Sequence, residues 1–76
     1  MPQNFKGVQV AVVGVGKSNQ ALCRYLAGEG ALITCFDQKT EAQLGEAYHS
    51  LSRLGVEWSL GESYLDPLPK YKHVFL

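Results

Sequence analysis

The residues of this chain whose types and spacing could do chemistry are Gly14-Val15-Gly16-Lys17-Ser18-Asn19, together with Asp37-Gln38-Lys39 further along. Gly14 permits a tight turn, and Gly16 lets the backbone come close to a diphosphate. If a helix opens at this turn, its unpaired N–H groups and partial positive charge face the same point, so the run reads as an anion site. Ser18 could cap that helix or bond a phosphate oxygen, and Lys17 could add a charge-assisted contact or point into water. Asp37 is an acceptor-only carboxylate. It could take hydrogen bonds from a ribose or from a base N–H, or it could cap the next helix.

Two better-known phosphate motifs fit incompletely. The third glycine of the dinucleotide pattern, which permits close helix-to-strand packing, is replaced by Asn19. Gly16-Lys17-Ser18 imitates the end of a P-loop, but the position that should open that loop is Ala11, inside an apolar run. A loop that short cannot wrap a triphosphate, so ATP is not expected here. The alternatives are an NAD(P)- or FAD-binding module of an oxidoreductase or regulatory protein, with Asp37 on the adenosine ribose, and a non-enzymatic interaction domain using an open sheet edge.

Positioning these residues requires strands that end where the turns begin. Residues 8–13 are rich in β-branched side chains and bounded by Gly7 and Gly14, as in a strand buried on both faces. Over residues 18–29, Ala21, Leu22, Tyr25 and Leu26 recur at helical spacing. Residues 31–36 form a second apolar run ending at Asp37. Thr40-Glu41-Ala42-Gln43 is a capping box opening a helix on which Leu44, Ala47, Tyr48, Leu51 and Leu54 share a stripe. Gly45 weakens that helix, and Gly55 supplies its cap after about Leu54. Residues 56–60 alternate as a third strand, residues 62–72 allow one helical turn at most among their prolines, and residues 73–76 begin a fourth strand. This order predicts a Rossmann-like, doubly wound α/β fold: three layers, about four parallel strands and flanking helices.

Composition narrows the partners. The chain has 76 residues, enough for one small domain, and 46% are hydrophobic against 18% charged. Seven basic and seven acidic residues cancel, leaving no field to attract nucleic acid or anionic lipid. The longest apolar stretch, residues 8–15, is far short of the roughly 20 residues of a membrane span. Met1-Pro2-Gln3-Asn4-Phe5 lacks the pattern of an export signal, so a cytoplasmic protein is expected. Cys23 and Cys35 have no metal spacing and read as buried free thiols. His49 and His73 lack companion ligands, so no metal site is expected. Trp58 and the tyrosines read as packing residues, and no nucleophile and base stand together.

The first strand, the turn of residues 14–19, the helix after it and Cys35-Phe36-Asp37-Gln38-Lys39 together resemble the opening of the UDP-N-acetylmuramoylalanine:D-glutamate ligases, as do Lys6-Gly7 and Gly61. The resemblance spans essentially the whole chain. It implies an N-terminal Rossmann-like domain that holds the UDP of a muramoyl substrate. Gly14, Gly16, Lys17, Ser18 and Asn19 would lie at the diphosphate, and Asp37, Gln38 and Lys39 would surround the uracil. Asn19 departs from the family's commoner glycine, and Gln38 and Lys39 stand where threonine and arginine often occur. Lys39 keeps the charge without arginine's planar fork. The reaction implied is ATP-dependent: an acyl phosphate forms and the amine of D-glutamate attacks it, in peptidoglycan synthesis. The catalytic residues, ATP and Mg²⁺ would belong to central and C-terminal domains of a longer parent, so this chain reads as a fragment cut before its own domain is complete. It should bind a UDP-sugar peptide precursor and carry no catalytic residue.

Overall fold

A computed structural model describes residues 5–76, so residues 1–4 of the segment read above for an export signal lie outside it. The elements are β1 (Gln9–Val13), α1 (Lys17–Gly28), β2 (Leu32–Asp37), α2 (Glu41–Leu44), α3 (Glu46–Ser52), β3 (Glu57–Leu60), a single 3₁₀ turn (Leu68–Lys70) and β4 (His73–Phe75). The four strands form one parallel sheet in the order β3-β2-β1-β4. The Rossmann-like α/β class read from the sequence is the class observed.

Alternation along the strands divides the side chains between two faces. Val10 and Val12 of β1 and Ile33 and Cys35 of β2 join Cys23 and Leu26 of α1 and Leu51 of α3 in one buried core, and α1 packs against α3. The helices therefore share one face. On the other face Thr34 and Phe36 meet Tyr71, which leads into β4: the two hydroxyls are 2.8 Å apart and the rings stand edge to face at 5.5 Å. That second layer is thin. The segment between β3 and β4 carries only the 3₁₀ turn, and Leu32 stays 55% exposed.

Cys23 and Cys35 are buried and free, as expected, with their Sγ atoms 3.6 Å apart across the seam between α1 and β2. The hydrogen bond between them lowers the Cys23 thiol and, together with burial, raises that of Cys35.

The helix expected to run on to Leu54 is two helices. Its capping box is present: Thr40 N donates to Gln43 Oε1 at 2.9 Å, and Gln43 N donates to Thr40 Oγ1 at 3.3 Å. At Gly45 the backbone takes φ +57° and ψ −122°, a region that residues with a Cβ avoid. Gly45 N still donates to Glu41 O, while Gly45 O accepts from Tyr48 N and His49 N, so the same residue ends α2 and starts α3. The bend places Tyr48 over Trp58 of β3, ring centroids 4.8 Å apart, and Trp58 Nε1 donates to Ser52 Oγ. Aromatic packing of this kind stabilises by roughly 0.5–1.5 kcal/mol beyond the area buried, which offsets the broken helical ladder.

Candidate functional site at the carboxyl edge of the sheet

β1 pairs with β2 on one side and β4 on the other: its own connection runs through α1 to β2, and the chain reaches β4 only by crossing over from β3. The strand order therefore reverses at β1, the place where open α/β sheets hold ligands in a crevice beyond the strands' carboxyl ends. The turn of residues 14–19 sits there. Gly14 has φ +91° and donates to Phe36 O at 2.7 Å, so its glycine is a backbone requirement. Gly16 is different. It is the N-cap of α1 in an extended conformation (φ −85°, ψ 178°), and a Cβ added there would meet nothing within 4 Å. Nothing in the described fold needs glycine at this position, whereas a ligand approaching the backbone would.

The hydrogen bonds of the turn divide sharply. Asn19 Nδ2 donates to Val13 O at 3.1 Å and to Gly14 O at 2.9 Å, and Gln20 Nε2 donates to Val15 O at 3.2 Å. Val15 N donates to Asp37 Oδ2 at 2.9 Å. The backbone N–H groups of Gly16, Lys17, Ser18 and Asn19 have no acceptor among the described residues. They are the orphan donors of a helix start. With the carbonyls of residues 13–16 tied and these amides free, the backbone of the turn offers hydrogen-bond donors. Ser18 is exposed and does not cap α1, whose N-cap has no side-chain hydrogen bond; its hydroxyl is free to join those donors. Lys17 is exposed on the same turn.

Asp37 ends β2 and joins the two loops of the crevice. One carboxylate oxygen accepts from Val15 N, and the other accepts from Lys39 N at 2.9 Å. It does not cap the next helix; Thr40 does. Each oxygen has a further lone pair, so a ligand N–H or hydroxyl could still be accepted. Gln38 and Lys39, both exposed, line an open hollow of about 440 Å³ with Thr40, Gln43, Gly61 and Glu62. Gly61 N is tied to Asp37 O, which holds the far rim of this hollow against the end of β2. The residues read from the sequence thus fall into two neighbouring groups, the turn and the hollow, bridged by Asp37.

Gln20 and Glu62 were not foreseen, and Gln43 was read only as a member of the capping box. For Gln20 and Gln43 the available signal was an amide side chain within a helix's first turn, able to reach back to the preceding loop. His49 and His73 pack against aromatic rings, Tyr48 and Phe5, at 5.7 and 6.5 Å. Among the described residues no cluster of His, Cys, Asp or Glu could hold a metal ion, and no helix is long and apolar enough to cross a membrane.

Against known proteins, the chain is 46% identical over 68 residues to the UDP-N-acetylmuramoylalanine--D-glutamate ligase of Symbiobacterium thermophilum, which covers 90% of this chain and 15% of that protein. It is 46% identical over 71 residues to the ligase of the same name from Clostridium perfringens and 45% identical over 71 residues to that from Clostridium botulinum, in each case 93% of this chain and 16% of the relative. The chain matches a segment of this ligase family. No family model matches it, and no solved structure does. A match covering 90% of the chain leaves too few residues at either end to omit the glycine turn or the Asp37 loop, so both loops lie within the aligned stretch. The segment spans about one sixth of the length of the relatives it matches.

Proposed function

We propose that this chain is the N-terminal, UDP-binding segment of an ATP-dependent ligase that adds D-glutamate to UDP-N-acetylmuramoyl-L-alanine in peptidoglycan synthesis, in the cytoplasm. The carrying observation is the turn whose backbone amides are free and whose carbonyls are tied, beside an acceptor carboxylate, in a chain 45–46% identical to ligases of that name. A nucleoside diphosphate asks for that pairing: N–H and hydroxyl donors for its phosphates, an acceptor for the N–H of its base. Gly16, Lys17 and Ser18 would hold the diphosphate through backbone N–H groups, with Ser18 Oγ and the Lys17 ammonium adding contacts. Asp37 would accept from the uracil, with Gln38 and Lys39 at its sides.

The chemistry itself belongs elsewhere in the parent protein. The resemblance assigns ATP and Mg²⁺ to the remaining ligase domains of a longer parent, and Ala11 stands where a P-loop in this chain would need glycine. In this reading the segment contributes binding energy from a remote part of the substrate, which the reacting end uses for orientation.

The test is an NMR titration of the chain with UDP-N-acetylmuramoyl-L-alanine, UDP, NAD and ATP in parallel. The UDP compounds alone should shift residues 14–19 and 37–39, with affinity near millimolar, about −4 kcal/mol. Asp37→Ala should lower that affinity by about 1–3 kcal/mol, as for a lost charged hydrogen bond. A response to NAD alone would move the chain to the dinucleotide-binding oxidoreductases.

A further inference from the structure

We infer that Asn19 is a positioning residue: its side chain serves the anion site by holding the turn with its donors outward, and does not itself touch the ligand. This inference rests on the uridine-diphosphate reading for the ligand's class, but its structural half stands on hydrogen bonds internal to the turn. A side-chain amide nitrogen has two hydrogens, and both are taken, one by Val13 O and one by Gly14 O. The free atom of the Asn19 side chain is therefore its carbonyl oxygen, an acceptor, which a phosphate would repel. The resemblance places Asn19 at the diphosphate. Only its backbone N–H can serve there.

The side chain lies beneath the turn. It is half-buried, and its Nδ2 is 4.0 Å from where a Cβ on Gly14 would sit. With Gln20 Nε2 on Val15 O, three successive carbonyls at the end of β1 are held by side-chain donors from the first turn of α1. Peptide groups are planar, so fixing the direction of a carbonyl also fixes the N–H across the same peptide bond. The carbonyls of Val13, Gly14 and Val15 thereby orient the amides of Gly14, Val15 and Gly16: the first bonds Phe36 O, the second Asp37, and the third is free for a ligand. A glycine at position 19, as in the dinucleotide pattern, would leave two of these carbonyls without donors.

The experiment compares this chain with its Asn19→Gly and Asn19→Asp variants by NMR, first alone and then with UDP. In the parent chain the Asn19 side-chain amide should show couplings across its hydrogen bonds to the Val13 and Gly14 carbonyls, and these should persist when UDP is bound. Asn19→Gly should change the residual dipolar couplings of Gly14, Val15 and Gly16 and weaken UDP about tenfold, the scale of one or two lost hydrogen bonds. Asn19→Asp turns a carboxylate onto two carbonyl oxygens and should weaken UDP at least as much; should it fail to fold, Asn19→Gly carries the test. Two results would overturn the inference. One is an Asn19 amide that leaves the two carbonyls and moves to the phosphate on binding. The other is an Asn19→Gly variant whose turn keeps its couplings. If the parent chain binds no UDP while Asn19→Gly still reorients the turn, the positioning role holds and the ligand assignment fails.

Discussion

Two glycines separated by a single valine answer to different demands. Gly14 is required by its own backbone, at φ +91°; Gly16 sits in a conformation open to any residue, with free space where a Cβ would go. Gly16→Ala should leave stability within about 1 kcal/mol of the parent, with any change toward greater stability because the unfolded chain loses freedom. The same substitution should weaken UDP at least tenfold, since a methyl group would stand where the diphosphate meets the backbone. Thermal unfolding and the UDP titration, run on one sample, check both halves; equal losses in both would mean that Gly16 serves the fold. At this scale the sequence was legible in residue type and illegible in partner. The glycine turn between β1 and α1 and the place of Asp37 at the end of β2 could be read from glycine spacing and from an acid after an apolar run. That Asp37 holds Val15, or that Asn19 holds Val13 and Gly14, depends on how the β1 and β2 ends lie together, and residue spacing does not report that.

Among the elements, the strands were read closely because β1 and β2 are apolar runs bounded by glycine or an acid and β3 alternates between Gly55 and Gly61, and a parallel sheet covered on its helix-bearing face asks for little more. The second helix was read too long. Its hydrophobic stripe passes through Gly45 without a break, so periodicity alone describes one helix, whereas the chain turns at Gly45 and the helix that follows stacks Tyr48 on Trp58. The two descriptions predict opposite signs for Gly45→Ala. In a continuous helix alanine would stabilise by about 1 kcal/mol. At φ +57° and ψ −122° it should instead destabilise by roughly 1–3 kcal/mol, the usual cost of forcing a Cβ into a sparsely populated backbone region. Chemical denaturation of the variant distinguishes them, and a gain in midpoint would restore the single helix.

For the whole molecule, the sheet order puts the glycine turn at the strand where that order reverses, and the core that holds it there is small: Phe36, Leu26, Leu51, Val10, Val12, Cys23 and Cys35 are its largest fully buried side chains. Few contacts separate the folded from the unfolded chain, so local and global opening should lie close together in free energy. Neither thiol should react with an aromatic disulfide reagent at the rate of a free cysteine under native conditions, and both should react at once in denaturant. A native-state rate equal to the denatured one would show that α1 does not stay seated on β2. Because the reagent reaches these sulfurs through the open chain, a ligand that binds only the folded form slows labelling by a factor of one plus the ratio of free ligand concentration to Kd. At ten times its dissociation constant the slowing is about elevenfold, large enough to measure even for a millimolar ligand. Two buried sulfurs that the turn does not include thus give the molecule a built-in clock, and its pace reports whether a ligand is bound.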